Sequence, residues 1–294
     1  MRDQAEQLRV LARTLKHQVE RDIKGKQKRT RVIAVTSGKG GVGKTNFTVN
    51  FALALMSLGQ RVIILDADLG LANIDVILGI NPAFNLYHVL KGEKSIQDII
   101  TTGPQGIQLI AGGSGMQELA NLRRWQVDQF IGKLEQLEGM ADILIIDTAA
   151  GLSRNVMSFL QAADEVIVIT TPEPTAITDA YGLVKAMTSK KNHGMVHLVV
   201  NKVENAQEAD ITASKFLIVA EKFLKLNICH LGFILDDPLV SKSVKSQEPF
   251  MLKYPQSSAA HCIQKLAAQL MDQQYIPEPS GIKSFLGKIA KFFV

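Results

Sequence analysis

Eight consecutive residues, 38–45, combine four glycines with two lysines and a threonine in the order Gly-Lys-Gly-Gly-Val-Gly-Lys-Thr. They satisfy the pattern G-x-x-x-x-G-K-[ST] at every fixed position. Glycines let successive backbone N–H groups turn inward and approach phosphate oxygens closely. A following helix would add its free N–H groups and the positive end of its dipole. We expect the Lys44 ammonium to reach the β- and γ-phosphates of a nucleotide and the Thr45 hydroxyl to hold Mg²⁺.

A chance glycine-rich turn is the alternative, but the flanking residues argue against it. Residues 32–36 are mostly apolar and β-branched, as in a buried strand, and residues 46–58 carry apolar side chains at helical spacing. The loop therefore lies between a strand and a helix, which is the context that this motif requires. The candidate nucleotide contacts are the whole loop and the residue that follows it, namely Gly38, Lys39, Gly40, Gly41, Val42, Gly43, Lys44, Thr45 and Asn46.

Carboxylates stand at the ends of two apolar runs. Asp66 and Asp68 follow residues 63–65, and Asp147 ends the run 142–147. The carboxyl ends of parallel strands are where ligands bind in open α/β sheets. We expect Asp147 to bind Mg²⁺ through water. A helix cap or a solvated turn is the alternative for each acid alone, and their order relative to the loop favours a functional role.

Lys39 is a residue that the general loop pattern does not require. The form Lys-Gly-Gly-Val-Gly-Lys-Thr resembles the deviant loop of the MinD/ParA class of P-loop ATPases. The resemblance implies that Lys39 reaches across a homodimer interface to the partner's ATP, and that Lys44 and Lys39 both act in catalysis. It also implies that Asp68 positions the attacking water and that Asp66, with Thr45 and Asp147, supports the metal region. A solvated loop charge is the alternative for Lys39 alone.

Two further stretches resemble the base-binding parts of the same class. Asn201, at the end of an apolar run, resembles the asparagine that reads adenine. Residues 232–238 resemble the loop that closes over the base, with backbone groups near Leu235 and Asp237 as candidate contacts. The resemblance implies ATP, and the Asn-Lys-x-Asp of GTPases is absent because position 204 is Glu.

Apolar runs alternate with helical patterns along most of the chain, which predicts an α/β fold with a doubly wound, mostly parallel sheet and helices on both faces. This is the P-loop NTPase architecture, and we expect the ATPase domain to span 31–275. The predicted strands are 31–36, 61–66, 107–111, 142–147, 165–170, 196–201 and 229–234. The predicted helices are 44–58, 73–78, 95–101, 116–138, 153–162, 176–189 and 207–225.

The C-terminal residues predict a short amphipathic helix at 282–294, joined to the domain by a Pro- and Gly-containing linker at 276–281. Three lysines lie on its polar side and no acid is present, which is typical of an interfacial membrane anchor for anionic lipid. A last helix packed on the core is the alternative. At 100° per residue its apolar face consists of Ile282, Phe285, Leu286, Ile289, Phe292 and Phe293.

The N-terminal residues predict a second amphipathic helix within 1–24, followed by a basic linker at 25–30. Its apolar stripe needs a partner, either the chain's own core or another protein. The element Asp3-Gln-Ala-Glu-Gln-Leu-Arg9 resembles the FlhG family, also called YlxH or FleN, of flagellar number and placement regulators. The resemblance implies that this helix stimulates the signal-recognition-type GTPase FlhF through Gln4, Leu8 and Arg9. It also implies contacts with components of the flagellar switch complex (the C-ring).

The net charge of +5 is concentrated at the two ends of the chain. Residues 1–31 carry +6, residues 281–294 carry +3, and the remainder carries −4. A ParA-like DNA-partition ATPase, which uses basic residues of its dimer surface, is therefore the less favoured alternative. A nucleotide-binding scaffold without turnover is a third alternative.

The cysteines and the apolar runs also limit the possible functions. Cys229 and Cys262 fit core thiols in a reducing compartment, and the cysteine motifs of the nitrogenase iron protein and of iron–sulfur carriers are absent. No apolar run approaches the ~18–20 residues of a membrane span. We expect a cytoplasmic ATPase that is peripheral on the inner face of the cell membrane when it holds ATP.

Overall fold

The computed structural model describes residues 29–68, 73–113, 124–188, 194–272 and 279–293. The predicted helix at 1–24 lies outside these residues, as do 25–28 of the basic linker. Within them, eight strands form one sheet, and the strands are β1 (Arg31–Ser37), β2 (Val62–Ala67), β3 (Ile100–Thr102), β4 (Gln108–Ile110), β5 (Ile143–Thr148), β6 (Glu165–Thr170), β7 (Met195–Val203) and β8 (Cys229–Leu235).

The sheet has the order β3-β4-β2-β5-β1-β6-β7-β8. β3 is antiparallel to β4, and the six other neighbouring pairs are parallel. The predicted fold class is therefore confirmed. Because β1 lies between β5 and β6, the loop that follows β1 opens at the centre of the sheet's carboxyl edge, where ligands bind in such folds.

Helices cover both faces of the sheet. In the described residues they are α1 (Lys44–Ser57), α2 (Ile74–Leu78), α3 (Leu86–Lys91), α4 (Arg124–Leu134), α5 (Arg154–Ala162), α6 (Pro174–Thr188), α7 (Ala206–Leu224), α8 (Pro238–Lys245), α9 (Phe250–Lys253), α10 (Ser258–Met271) and α11 (Gly281–Phe293). None of these helices is long and apolar enough to cross a bilayer.

The predicted helix at 95–101 is wrong. A 3₁₀ turn, Gln97–Ile99, leads directly into β3, which pairs with β4. The run Ile99-Ile100-Thr101-Thr102 is β-branched throughout, and such side chains favour a strand when a neighbouring edge is available. α3 was not predicted because six residues are too few to show a helical period. Asn85 caps the start of α3, because its side chain accepts a hydrogen bond from the Tyr87 N–H at 3.0 Å.

Two apolar layers form the core, one on each face of the sheet. The layer that contains α1 and α10 also holds the side chains of β1 and β5 that point to that face. The other layer contains α4, α5 and α7, and α11 completes it. The predicted apolar face of α11 is therefore buried against the domain, through Ile282, Phe285, Leu286 and Ile289.

Candidate functional site

The glycine-rich loop joins the end of β1 to the start of α1, as its pattern predicts. Gly43 has φ 92°, a left-handed conformation that glycine adopts without strain. A Cβ built there would lie 2.4 Å from Asn201 Nδ2, and one built at Gly38 would lie 2.2 Å from the backbone carbonyl carbon of Asp179. The loop can therefore approach β7 on one side and α6 on the other only with glycine at these two positions.

A cavity of about 800 Å³ opens beside the loop at the carboxyl edge of the sheet. Its walls come from the loop, α1, α2, α8 and the ends of β7 and β8, and its volume suits a nucleotide. Ten of the predicted site residues line it, namely Gly40, Gly41, Gly43, Lys44, Thr45, Asn46, Asp68, Asn201, Leu235 and Asp237.

A cluster of charged side chains is buried at the base of the cavity. Lys44 Nζ donates to Asp147 Oδ1 at 2.9 Å, and the Thr48 hydroxyl donates to the same oxygen at 2.8 Å. Asp66 and Asp147 are directly opposite each other on β2 and β5. Burial, followed by the negative charge of Asp147, raises the pKa of the Asp66 carboxyl to about 7. Thr48 was missed by sequence reasoning, although it is one helical turn after Lys44.

These residues fit a hard divalent cation. Asp147 Oδ2 is buried and accepts no hydrogen bond from the described residues, and an orphaned buried carboxylate oxygen is costly unless a cation or donor meets it. Two carboxylates and the Thr45 hydroxyl offer the oxygen ligands that Mg²⁺ takes together with phosphate and water. A cation between the two acids would also remove the repulsion that raises the pKa of Asp66.

Lys39 is turned away from the cavity. Its Nζ donates to Glu173 Oε2 at 2.9 Å and lies 3.2 Å from the Thr175 hydroxyl. The Lys39 side chain is 41% exposed and that of Glu173 is 64% exposed. The hydrogen bond and the charge of Lys39 lower the pKa of the Glu173 carboxyl. Because exposed ion pairs contribute little to stability, Lys39 can leave Glu173 at small cost.

Two consecutive residues near the end of β7, both of which line the cavity, hold the loop through its carbonyl groups. Asn201 Nδ2 donates to the Val42 carbonyl at 2.7 Å, and Asn201 Oδ1 accepts from the Lys202 N–H at 2.9 Å. Lys202 Nζ donates to the Gly41 carbonyl at 2.9 Å. The Asn201 amide keeps one further donor and one further acceptor position for a base. Its predicted reading of adenine remains a prediction.

The predicted base-binding loop follows β8. Leu235 is the last residue of that strand, and both it and Asp237 line the cavity. The Asp237 carboxylate accepts from the Leu239 N–H at 2.9 Å and from the Ala259 N–H at 3.2 Å. The side chain therefore fixes the starts of α8 and α10, and the predicted contact of this loop's backbone with the base stays a prediction.

The predicted partner-binding and membrane-contacting residues belong to the two ends of the chain. Gln4, Leu8 and Arg9 are outside the described residues, as are the side chains of Phe292 and Phe293. The first four predicted membrane-contacting residues of α11 are buried, and the Phe285 ring stacks on Phe159 of α5 with centroids 6.3 Å apart. Docking on the core, the alternative interpretation of this helix, is thus what the structure contains.

Comparison with known proteins agrees with this geometry. The profile of the ParA family, described as the NUBPL iron-transfer P-loop NTPase, matches residues 28–271. The chain is 40% identical to the antiactivator FleN of Pseudomonas aeruginosa, over 86% of this chain and 91% of that protein. It is 36% identical to the flagellum site-determining protein YlxH of Helicobacter pylori, over 90% of each.

A solved structure also shares the fold. The septum site-determining protein MinD of Pyrococcus horikoshii OT3, in complex with Mg-ADP, superimposes with a TM-score of 0.68 at 26% identity. The match covers 83% of this chain and 96% of that chain. Iron transfer belongs to the description of the matched profile, and the two cysteines of this chain are free thiols. The expectation of core thiols is wrong for Cys229, which is exposed, and Cys262 is half-buried.

Proposed function

The chain belongs to the ParA family of P-loop NTPases, and we propose that it is a membrane-cycling switch that controls flagellar number and placement. It is a regulatory ATPase that uses ATP and Mg²⁺. The observation that carries the proposal is the position of Lys39, which is turned away from the chain's own cavity and is exposed in a pair with Glu173. From this position the Lys39 ammonium can contact the nucleotide that is bound by a second copy of the chain.

The buried cluster supplies the hydrolytic chemistry in this proposal. Lys44 transfers its hydrogen bond from Asp147 to a phosphate oxygen, and Asp147 and Thr45 then hold the cation. Mg²⁺ held by these residues would neutralise phosphate charge and so favour transfer of the γ-phosphoryl group. Asp68 lines the cavity and holds the attacking water. Lys39 from the partner copy stabilises the charge that develops on the phosphate, so hydrolysis requires the dimer.

A contiguous set of elements connects this site with the C-terminal helix. The Gly151 N–H, four residues after Asp147, donates to the Ser37 carbonyl at the end of β1 at 3.0 Å. α5 begins at Arg154, just beyond that contact, and α11 packs on α5 and α4. We propose that ordering of 148–153 by the γ-phosphate shifts α5 and loosens the stacking of Phe159 on Phe285, in the manner of other nucleotide switches.

Two carboxylates hold the start of α11 against the domain. Glu138 accepts from the Ile282 N–H at 2.6 Å and from the Thr30 N–H at 2.7 Å. Asp164 accepts from the N–H groups of Ser280 and Val32, both at 2.9 Å. The same two side chains therefore fix the start of β1 and the start of α11.

Release of α11 onto a membrane moves its apolar face from one apolar environment to another. Burial of the helix against α4 and α5 contributes of the order of 1.5–3 kcal/mol per large side chain. Burial of the same side chains in lipid would largely replace this contribution. Anionic lipid adds about 1 kcal/mol for each lysine near the surface. A dimer carries two such helices, and the second binds at high effective concentration. ATP-driven dimerisation thus shifts the balance towards the membrane.

The partner interactions belong to the same proposal. We propose that the N-terminal helix, 1–24, stimulates the GTPase FlhF through Gln4, Leu8 and Arg9, and that the ATPase domain contacts C-ring components. Support for a protein contact on the domain comes from α7, where four of the large exposed apolar side chains lie: Ile211, Ile218, Val219 and Phe223. Contiguous exposed apolar side chains mark interaction surfaces.

Co-sedimentation with vesicles tests the membrane cycle. We expect the full chain to bind phosphatidylcholine–phosphatidylglycerol vesicles with ATP and much less with ADP. The double variant Lys283→Glu, Lys291→Glu should abolish binding, because it reverses the charge of the helix and keeps its apolar face. Glu138→Gln should increase binding with ADP, because the Ile282 N–H loses its charged acceptor, whereas Glu135→Gln in the same turn should behave as wild type.

Equal binding of vesicles with ATP and with ADP would contradict the membrane cycle. If the chain bound duplex DNA with ATP and did not bind vesicles in either state, the DNA-partition function would replace the membrane cycle. If it bound neither, α11 would be a fixed part of the fold.

A further inference from the structure

Lys202 has a backbone conformation that is unfavourable for its residue type. Its φ is 57°, in the left-handed region, where a side chain with a Cβ is disfavoured. It directly follows the regular part of β7, and the pairing of β7 with β8 is irregular between Val200 and Val203. Strain of this kind persists only where the surrounding contacts over-determine the conformation. At Lys202 those contacts are with the glycine-rich loop.

The contacts act on two successive carbonyl groups. Lys202 Nζ holds the Gly41 carbonyl at 2.9 Å, and Asn201 Nδ2 holds the Val42 carbonyl at 2.7 Å. The Lys202 N–H also donates to Asn201 Oδ1 at 2.9 Å, so the two residues are hydrogen-bonded to each other. Both carbonyls are therefore directed towards β7.

The direction of a carbonyl fixes the direction of the next N–H. In a trans peptide the C=O of one residue and the N–H of the following residue point in opposite directions, and all peptide bonds of the described residues are trans. Holding the Gly41 and Val42 carbonyls towards β7 thus turns the N–H groups of Val42 and Gly43 away from β7. These are donors of the segment that the phosphate-binding pattern uses.

We propose that Lys202 is a positioning residue for phosphate binding: its ammonium holds the Gly41 carbonyl outward so that the loop's N–H groups are pre-directed at the phosphates. This inference rests on the proposed binding of phosphate by residues 38–45. A loop that is already oriented loses less conformational entropy when the nucleotide binds. Lys202 therefore acts on nucleotide affinity, while the reacting atoms are contacted by Lys44, Asp68 and Lys39.

The test compares three methionine substitutions, since methionine keeps an unbranched apolar stem and lacks the ammonium. Lys202→Met removes the hydrogen bond to Gly41. Lys225→Met is the matched control for backbone strain, because Lys225 also has a left-handed φ, 55°, and is exposed at the end of α7. Lys245→Met measures the loss of one positive charge from the same cavity. Lys202→Arg is the conservative variant that restores a charged donor.

We expect Lys202→Met to raise the Kd for Mg·ADP and the KM for ATP by roughly three- to tenfold, which corresponds to the net contribution of one typical hydrogen bond. The kcat should stay within about twofold of wild type, because ground-state and transition-state binding are lost together. Lys225→Met should match wild type, Lys245→Met should lose less affinity, and Lys202→Arg should recover most of the loss.

Two results would overturn the role of Lys202 and leave the ATPase intact. One is wild-type affinity for Mg·ADP in Lys202→Met, and the other is an equal loss in Lys202→Met and Lys245→Met, which would make Lys202 a general charge. Failure of the wild-type chain itself to bind Mg·ADP is a different result, because it would overturn the phosphate site as well.

Discussion

At the scale of single residues, Asp147 is the centre of the nucleotide site. Its Oδ1 accepts hydrogen bonds from Lys44 and Thr48, and its Oδ2 is buried without a protein donor among the described residues. Asp66, directly opposite, has a pKa near 7 because of burial and of the charge on Asp147. The site thus holds more negative charge than Lys44 alone neutralises, which is a suitable environment for Mg²⁺.

We predict that Asp147→Asn lowers ATPase activity by at least about a hundredfold, since the amide keeps the oxygen that accepts from Lys44 but loses the charge that attracts the cation. ATP turnover measured against Mg²⁺ concentration checks this, and the variant should require more Mg²⁺. Asp142→Asn, at the opposite end of the same sheet region and paired with Arg61 on the surface, is the control. Unchanged Mg²⁺ dependence in Asp147→Asn would contradict the role of Asp147.

Much of this site could be predicted from the sequence because its chemistry is local. Residues 38–45 are contiguous, and Asp66, Asp68 and Asp147 each end a recognisable apolar run. Contacts between distant segments could not be predicted in this way. The hydrogen bond from Lys202 to the loop joins residues that are 161 positions apart. No local sequence pattern predicts a contact between such distant residues.

At the scale of elements, the opposite edge of the sheet has its own buried charged cluster. Arg31, Glu165 and His197 lie on the neighbouring strands β1, β6 and β7. Arg31 forms two hydrogen bonds to Glu165, and His197 Nε2 is 2.8 Å from Glu165 Oε2. Burial by itself would raise the pKa of Glu165, but the hydrogen bonds from His197 and Arg31 outweigh it and lower that pKa.

His197 has the opposite shift. Burial by itself would lower its pKa, but the hydrogen bonds to Cys229 and Glu165 outweigh burial and raise it. Its contribution to stability is therefore complete below the ordinary pKa of 6.5 and is lost as pH rises through the higher folded-state pKa. Glu165 contributes above its ordinary pKa of 4.5 and loses its contribution as pH falls through the lower folded-state pKa. The cluster stabilises the sheet most between pH 4.5 and 6.5.

We predict that the difference in Tm between wild type and His197→Asn narrows as pH rises from about 6 to about 8.5, because only the wild type loses a favourable imidazolium. Thermal unfolding at several pH values checks this. His230→Asn is the control with the opposite sign, because burial lowers the pKa of His230. A gap for His197→Asn that is constant with pH would contradict the raised pKa, because it would mean that His197 binds protons equally in the folded and unfolded protein.

The elements themselves differ in how far the sequence determines them. The buried parallel strands and the helices α1, α5, α6 and α7 have regular patterns and lie within a few residues of their predicted bounds, whereas α10 was not predicted. β3 is three residues long and takes its conformation from its pairing with β4. For α11 the sequence predicts an amphipathic helix, but an apolar face has the same composition whether a membrane or the groove between α4 and α5 covers it.

At the scale of the whole molecule, the carboxyl and amino ends of the parallel strands have different roles. The nucleotide cavity lies at the carboxyl edge, and the contacts of Glu138 and Asp164 at the other edge hold the starts of β1 and α11. The residues with excess positive charge, 1–31 and 281–294, are joined to the domain through that second edge. In the proposed switch, ATP causes two chains to form a dimer. The dimer then carries two copies of the basic N-terminal segment and two copies of the basic C-terminal helix.

The most direct test of the account is the mass of the Asp68→Ala protein in solution, measured by sedimentation equilibrium with Mg·ATP and with Mg·ADP. In the proposed mechanism Asp68 holds the attacking water, so its loss should leave ATP bound, and we predict a dimer with Mg·ATP and a monomer with Mg·ADP. Adding Lys39→Ala to this variant should return it to a monomer in both. An Asp68→Ala protein that stays monomeric with saturating Mg·ATP would contradict the dimeric switch.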